Sequence, residues 1–263
     1  MTDQSGSGAA RPQNIVVVFV RRILSEFGET IRFFAGVAVV WFALVTFGFA
    51  AFHIPSESMQ PALQVGDRVL VSKFTYGYSR HSLPLGLGYL LPDSLSGRVL
   101  HFGGPSRGEV IVVRDPGQGI NIIKRVIGLP GDTIEVRGGR LIINGNVVER
   151  VEQDVIRYRT REGQIVAVTV YEEIMPEGTS HTIYERSDNA PLDNAGPFRV
   201  PANNYFLMGD NRDASADSRV ASQLGYVHRD EIVGRANTVL FTFANCRREE
   251  GLSCPPWRVF LGL

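Results

Sequence analysis

Hydrophobic and polar positions divide the chain into one long apolar run and a series of short alternating segments. Phe33–Phe52 is a run of twenty residues without a charge, and Thr46 is its one polar side chain. As a helix rising ~1.5 Å per residue it would span ~30 Å, the thickness of a bilayer's hydrocarbon core. A cleaved leader would have a core of ~7–15 apolar residues close to the start, whereas this run is longer and begins at residue 33. The preceding polar stretch, 1–13, leads into the apolar Ile15–Val20, which Arg21 and Arg22 end. That run is too short to cross, so residues 15–30 are read as a separate interfacial or cytoplasmic helix. Past residue 60 the period is that of strands, over 68–74, 109–114, 121–127, 133–137, 140–143, 146–148, 164–174, 182–185, 204–208 and 231–243. Gly138-Gly139 and Asn144-Gly145 are two-residue hairpin signals. No helical period recurs after the N-terminal segment, and there are no internal repeats. The expected fold is mostly β: a coiled antiparallel sheet with an inserted β subdomain at about 138–200, preceded by one transmembrane helix. The Gly/Pro/Ser-rich stretch 76–106 reads as a loop ordered by packing on that core.

Charge and composition narrow the classes of function. Lys+Arg 27 against Asp+Glu 27 leaves a formal net charge of +0, so no basic field recruits nucleic acid. Arg11, Arg21, Arg22 and Arg32 precede the apolar run. By the positive-inside rule they keep the N-terminus cytoplasmic and send residues 53–263 across. The organisation read from this is a cytoplasmic segment 1–32, a span 33–52 and an extracytoplasmic domain 53–263. Two cysteines, Cys246 and Cys254, exclude a disulfide-built miniprotein and a Cys-rich zinc framework. Outside the cytoplasm they are close enough to oxidise to a bond worth at most ~2–3 kcal/mol; two free thiols are the alternative. Of the 27 basic residues only Lys73 and Lys124 are lysines. Arginine stays protonated, so an amine base must be one of these two or the N-terminus.

Three clusters carry candidate chemistry. Ile54-Pro-Ser-Glu-Ser-Met-Gln-Pro-Ala-Leu63 follows the apolar run directly. Ile122-Ile-Lys-Arg125 sets a lysine inside an apolar strand pattern, and its alternation partners Ile122 and Val126 are both apolar. Burying an ammonium there is costly. Gly209-Asp-Asn-Arg-Asp-Ala-Ser-Ala-Asp-Ser-Arg219 combines three aspartates with two arginines, in a spacing that does not fit an EF-hand. Gly104-Pro-Ser-Arg-Gly108 matches a nucleophile elbow in letters only, because a Gly-Gly-Pro loop precedes it and a strand follows; Ser106 is rejected as a nucleophile. None of His53, His81, His101, His181 and His228 falls in a pattern with an Asp and a Ser.

Together the clusters resemble the bacterial type I signal peptidases, membrane-anchored Ser/Lys endopeptidases. Ser56-x-Ser58-Met59-x-Pro61 is similar to their nucleophile segment, and Pro105-x-Arg107-Gly108 through Val113 to the box that follows. Lys124-Arg125 through Asp132 is similar to their lysine box, and Gly209-Asp-Asn-Arg-x-x-Ser215-x-Asp217-Ser-Arg219 to their last one. Glu57 and Ala62 stand where the family commonly has Gly and Thr. The resemblance implies Ser58 as nucleophile and Lys124 as general base. It implies an oxyanion hole from the Ser58 N–H and Ser56 hydroxyl, and Ser215 as a hydrogen-bonding partner that orients the lysine. Asp210 with Arg125, and Asp217 with Arg219, would be structural pairs, and Ile54, Met59, Leu63 and Ile122 would line the first substrate pocket. The substrates it implies are precursor proteins bearing signal peptides, cut after small residues at the first and third positions before the scissile bond. The implied setting is the lipid bilayer of a bacterial inner membrane, crossed once, with a periplasmic catalytic domain. No metal or other cofactor is implied. Another Ser/Lys processing peptidase of the same fold and a non-catalytic periplasmic β-domain stay open as alternatives.

Overall fold

The computed structural model describes residues 15–81, 88, 90, 92, 100–243, 249–255 and 257–263. The chain divides into two compact units, Met1–Val45 and Thr46–Leu263. The described part of the first is a single helix, α1 (Ile15–Ala43). Residues 15–30 and the start of the apolar run form one continuous helix. Glu26, Glu29 and Arg32 are exposed on α1, and such unbranched polar residues continue a helix at little cost. The far boundary of the span also differs from expectation. The helix stops at Ala43, Leu44–Gly48 form a π turn, and Phe49–His53 are strand β1. An apolar run does not by itself choose between helix and strand; here the ladder chooses, because Phe49 to His53 pair antiparallel with Ser72 to Arg68. The segment apolar and long enough to cross a membrane is Glu26–Gly48.

The second unit contains three antiparallel sheets. Its strands after β1 are β2 (Asp67–Ser72), β3 (Val110–Arg114), β4 (Asn121–Gly128), β5 (Thr133–Arg137), β6 (Arg140–Ile143) and β7 (Asn146–Val147). There follow β8 (Glu149–Arg159), β9 (Ile165–Ile174), β10 (Ser180–Glu185) and β11 (Asn194–Arg199). The last are β12 (Asn204–Met208), β13 (Val227–His228), β14 (Ile232–Thr242) and β15 (Val259–Gly262). The main sheet runs β1-β2-β14-β3-β4-β12-β13, with β15 also paired to β14, and curls into a half-barrel. With 42% of residues in strands and 15% in helix, the protein is mostly β. The inserted region forms two further sheets, β10-β9-β8 and β11-β5-β6-β7. Because β5 belongs to the second of these, that sheet starts ahead of residue 138. Asn144 and Gly145 turn from β6 to β7 with φ of 53° and 83°, the left-handed pair a tight hairpin needs.

Strand alternation sorts the core. Val110 and Val112 of β3 pack with Ile54, Met59, Leu63, Val69 and Val71. Their neighbours Ile111 and Val113 pack with Val126, Leu207 and Val227 in a separate cluster. The centre of the sheet is therefore covered on both faces, and β3, the C-terminal half of β4 and β12 are largely buried. A third cluster, with Ile127, Ile134 and Phe206, joins the main sheet to the inserted β5 and β6. Cys254 is disulfide-bonded, which removes the free-thiol alternative for it; Cys246 lies outside the described residues. About half of the expected 76–106 loop also lies outside them.

Candidate active site

The Ser58 segment is the loop between β1 and β2, and both its neck and its body are tied down. Ile54 N–H donates to the Asp67 carbonyl at 3.0 Å and Gly66 N–H to the Ile54 carbonyl at 2.9 Å. Inside the loop, Gln60 N–H reaches Glu57 O and Leu63 N–H reaches Met59 O. Asp67 is fully buried and organises the base of the loop. Its carboxylate accepts from Gln64 N–H at 2.8 Å, Thr242 Oγ1 at 2.5 Å and Arg258 Nη1 at 2.9 Å. Arg258 Nη2 also donates to the Ala62 carbonyl at 2.5 Å. Ile54, Met59 and Leu63 are 2%, 0% and 0% exposed and belong to the first core cluster. They anchor the loop from beneath; Ile122 is half-buried at the start of β4.

From the other side the loop is gripped by the inserted β-sheet. The Arg161 backbone N–H, at the turn between β8 and β9, donates to Glu57 Oε1, and its Nη1 donates to the Pro55 carbonyl at 2.9 Å. Asn211 N–H donates to the Ser58 carbonyl at 3.1 Å, and its side-chain amide donates to Glu57 O at 3.2 Å and Tyr158 Oη at 3.0 Å.

Ser58 and Lys124 meet at the centre of this arrangement. Lys124 Nζ lies 2.6 Å from Ser58 Oγ, and the residues are 5% and 7% exposed. Among the described residues, the other hydrogen-bond partner of Ser58 Oγ is the exposed Ser56 Oγ, at 3.3 Å. Burial lowers the Lys124 amine from 10.5 to about 8, with the Arg219 charge helping and the Asp217 and Asp210 charges opposing. Apolar packing supplies much of that burial: Val126 of β4 and Ile111 of β3 are both 0% exposed. The other lysine, Lys73, donates to the Thr46 carbonyl at 3.1 Å. An amine near 8 touching a hydroxyl is chemically able to take its proton.

Two buried ion pairs frame the amine. Arg125 donates to both Asp210 oxygens at 2.7 Å, and its Nη1 to the Gly108 carbonyl at 2.6 Å. Arg219 donates to Asp217 Oδ1 at 2.9 Å and Oδ2 at 3.0 Å. Burial would raise Asp217, but the charge and hydrogen bonds of Arg219 and the Gly209 N–H outweigh it and hold the carboxyl below its usual value. Gly209 lets the loop 209–219 close on the serine: a Cβ there would sit 2.3 Å from Ser215 Oγ and 2.4 Å from the Ser58 carbonyl. Ser215 is thus beside the site and 5% exposed. Its hydroxyl faces the Asp217 carboxylate and helps hold it down, and the expected bond to the lysine amine is not formed in this geometry.

Several supporting residues had no role read from the sequence, although Asn211 and Arg212 fall inside the 209–219 motif. Arg212 is 2% exposed and donates through both terminal nitrogens to Glu173, which is 0% exposed. This fastens the loop 209–219 to β9. Arg258, Arg161, Asn211 and Tyr158 likewise act on the Ser58 loop from remote positions. Ser106 lies exposed in the loop ahead of β3, with no helix following. His81, His181 and His228 face Glu231, Glu173 and Asp230 respectively, not the serine.

Comparison with known proteins agrees with this arrangement. Residues 27–241 match the family described as signal peptidase, peptidase S26. A signal peptidase I of Pseudomonas aeruginosa is 37% identical over 82% of this chain and 72% of its own length. One of Pseudomonas fluorescens is 34% identical over 88% of this chain and 78% of its own. A crystal structure of a signal peptidase I from Enterococcus faecalis aligns with 51% of this chain and 97% of its own, at 28% identity and a TM-score of 0.30. The apolar N-terminal helix fits a membrane-anchored protein. On the extent of these matches, the chain belongs to the signal peptidase I family of serine endopeptidases, peptidase S26.

Proposed function

We propose that the chain removes signal peptides from precursor proteins with Ser58 as nucleophile and Lys124 as general base. The observation that carries this reading is the 2.6 Å contact between Lys124 Nζ and Ser58 Oγ, made by an amine that burial lowers to about 8. The neutral amine takes the serine proton as Oγ attacks the scissile carbonyl, then returns it to the leaving amine. Water attack on the acyl-enzyme, with Lys124 again as base, restores Ser58. The tetrahedral oxyanion is stabilised by the Ser58 N–H and the Ser56 hydroxyl, a type of donor worth ~3–4 kcal/mol when removed. Ser215 Oγ, buried beside the site, accepts from the lysine amine and orients it once substrate closes the site. Asp210–Arg125 and Asp217–Arg219 keep the loop 209–219 seated and take no proton.

The substrate segment is extended and places small residues at the first and third positions before the cut. Main-chain bonds to strand edges hold it, and alternate side chains enter shallow pockets. Ile122 borders the first pocket, and the packed Ile54, Met59 and Leu63 form its floor. The protein sits in a bacterial inner membrane, N-terminus in the cytoplasm and Thr46–Leu263 in the periplasm, with α1 in contact with lipid. Nucleic acid has no part in this function.

The test is cleavage of a purified secretory precursor by the detergent-solubilised protein. Ser58→Ala, Lys124→Ala and Lys124→Arg should each abolish processing with near-UV circular dichroism unchanged; a guanidinium cannot release its proton to serve as base. Appreciable cleavage by any of the three would refute the assignment.

A further inference from the structure

Three carboxylates converge away from Ser58 and Lys124. Glu185 ends β10, Asp193 immediately precedes β11, and Asp213 lies in the helical turn Arg212–Ala214 of the loop that carries Asp210, Ser215 and Asp217. One oxygen of each lies within 4.8 Å of the other two. Glu185 and Asp193 are 2% and 1% exposed. Glu185 Oε1 and Asp193 Oδ1 are buried with no hydrogen-bond partner. Asp193 Oδ2 is already engaged by Ala190 N–H at 2.5 Å, and Asp213 Oδ2 by Arg186 N–H at 2.7 Å.

One ion pair, Arg150 with Glu185, reaches the cluster, and the other nearby guanidinium groups are engaged elsewhere. Arg150 Nη1 is 3.8 Å from Glu185 Oε2, beyond hydrogen-bond reach, while its Nη2 donates to Asp188 at 3.0 and 3.1 Å. Arg212 is paired with Glu173 and Arg219 with Asp217. Buried anionic oxygens without donors are costly unless a cation or a proton joins them.

We propose that Glu185, Asp193 and Asp213 form a binding site for a hard divalent cation, Ca²⁺. The donor set contains only carboxylate oxygen, with no imidazole or thiolate, which favours a hard ion over zinc or copper. Oxygens bound to Ca²⁺ at ~2.3–2.6 Å lie up to about 5 Å apart, a span these three already meet, whereas Mg²⁺ at ~2.0–2.1 Å draws its ligands closer. The half-buried Asp213 leaves an entry path. The ligands come from two strand ends of the inserted region and from the loop packed on Ser58. The ion therefore fastens these three segments together and touches neither Ser58 nor Lys124. A proton is the rival occupant: burial, then the Asp213 charge, push Glu185 up to about 9.

The test uses the full chain in detergent, stripped with chelator and titrated with CaCl₂ alone. Isothermal calorimetry should show one Ca²⁺ per chain with a Kd of ~0.1–1 mM, the range of extracellular sites. Saturating Ca²⁺ should raise the unfolding temperature by a few degrees. The double variant Glu185→Gln/Asp193→Asn should lose both effects and melt in chelator no lower than wild type; if it does not fold, Asp193→Asn alone carries the test. No binding to wild type at about 10 mM Ca²⁺, or binding unchanged in the variants, overturns the site. An equal melting shift with Mg²⁺ overturns the choice of ion, and a variant more stable than wild type with no Ca²⁺ effect in either assigns the cluster to a shared proton.

Discussion

Replacing Lys124 with methionine should make the protein more stable at neutral pH while removing its chemistry. The folded amine has fallen from 10.5 to about 8, chiefly through burial. That difference corresponds to ~3 kcal/mol by which folding disfavours the ammonium. The sign follows from proton binding in the two states. Below about 8 both folded and unfolded chains carry the proton, and the fold bears the full penalty. Between about 8 and 10.5 only the unfolded chain is protonated, so the penalty shrinks as pH rises and is gone above 10.5. Methionine keeps an unbranched side chain, one atom shorter and without a charge, and forfeits ~1 kcal/mol for the bond to Ser58 Oγ. The net gain is ~2 kcal/mol at pH 7, or ~4–8 °C in unfolding temperature for a domain of this size. Thermal melts of wild type and Lys124→Met in the same detergent, at pH 7 and pH 10, read it directly. A variant no more stable at pH 7, or one whose advantage persists undiminished at pH 10, would show that the amine is not held against its preferred charge state.

Two further outcomes follow from the same geometry. For wild-type protein, kcat/KM on a precursor should climb about tenfold per pH unit below about 8 and level off above it, because only neutral Lys124 accepts a proton; a profile flat into acid would point to a carboxylate base. Gly209→Ala should cost ~1–3 kcal/mol in urea unfolding, since its Cβ would press on the Ser58 backbone carbonyl at 2.4 Å. It should also lower cleavage by at least about tenfold by displacing Ser58, and wild-type turnover in that variant would mean the loop has slack.

The chain announces its reactive groups locally and its scaffolding hardly at all. Ser58, Lys124 and the 209–219 loop are each embedded in short motifs, and lysine scarcity narrows the search for a base to Lys73 and Lys124. The short apolar runs of β3 and β4 and the longer alternation of β9 likewise mark strands. What holds the site has no such signature. Glu173 reads as one of two adjacent glutamates on an alternating strand, yet it is buried against Arg212. Asp67 and Arg258 are 191 positions apart, and Glu57 and Arg161 are 104 apart. These pairs exist only once the sheets have stacked, so no local pattern marks them. The end of α1 fails for a related reason: Phe49–Phe52 is as apolar as the helix before it, and only pairing with β2 makes it a strand. Ile54, Met59 and Leu63 show the converse limit, since apolar character does not separate a side chain that borders a cleft from one sealed beneath it.

The Asp67–Arg258 tie gives the Ser58 loop a support far from it in sequence. One guanidinium closes on both the Asp67 carboxylate and the Ala62 carbonyl, so proteolytic trimming of the β15 segment would loosen a loop 196 positions away.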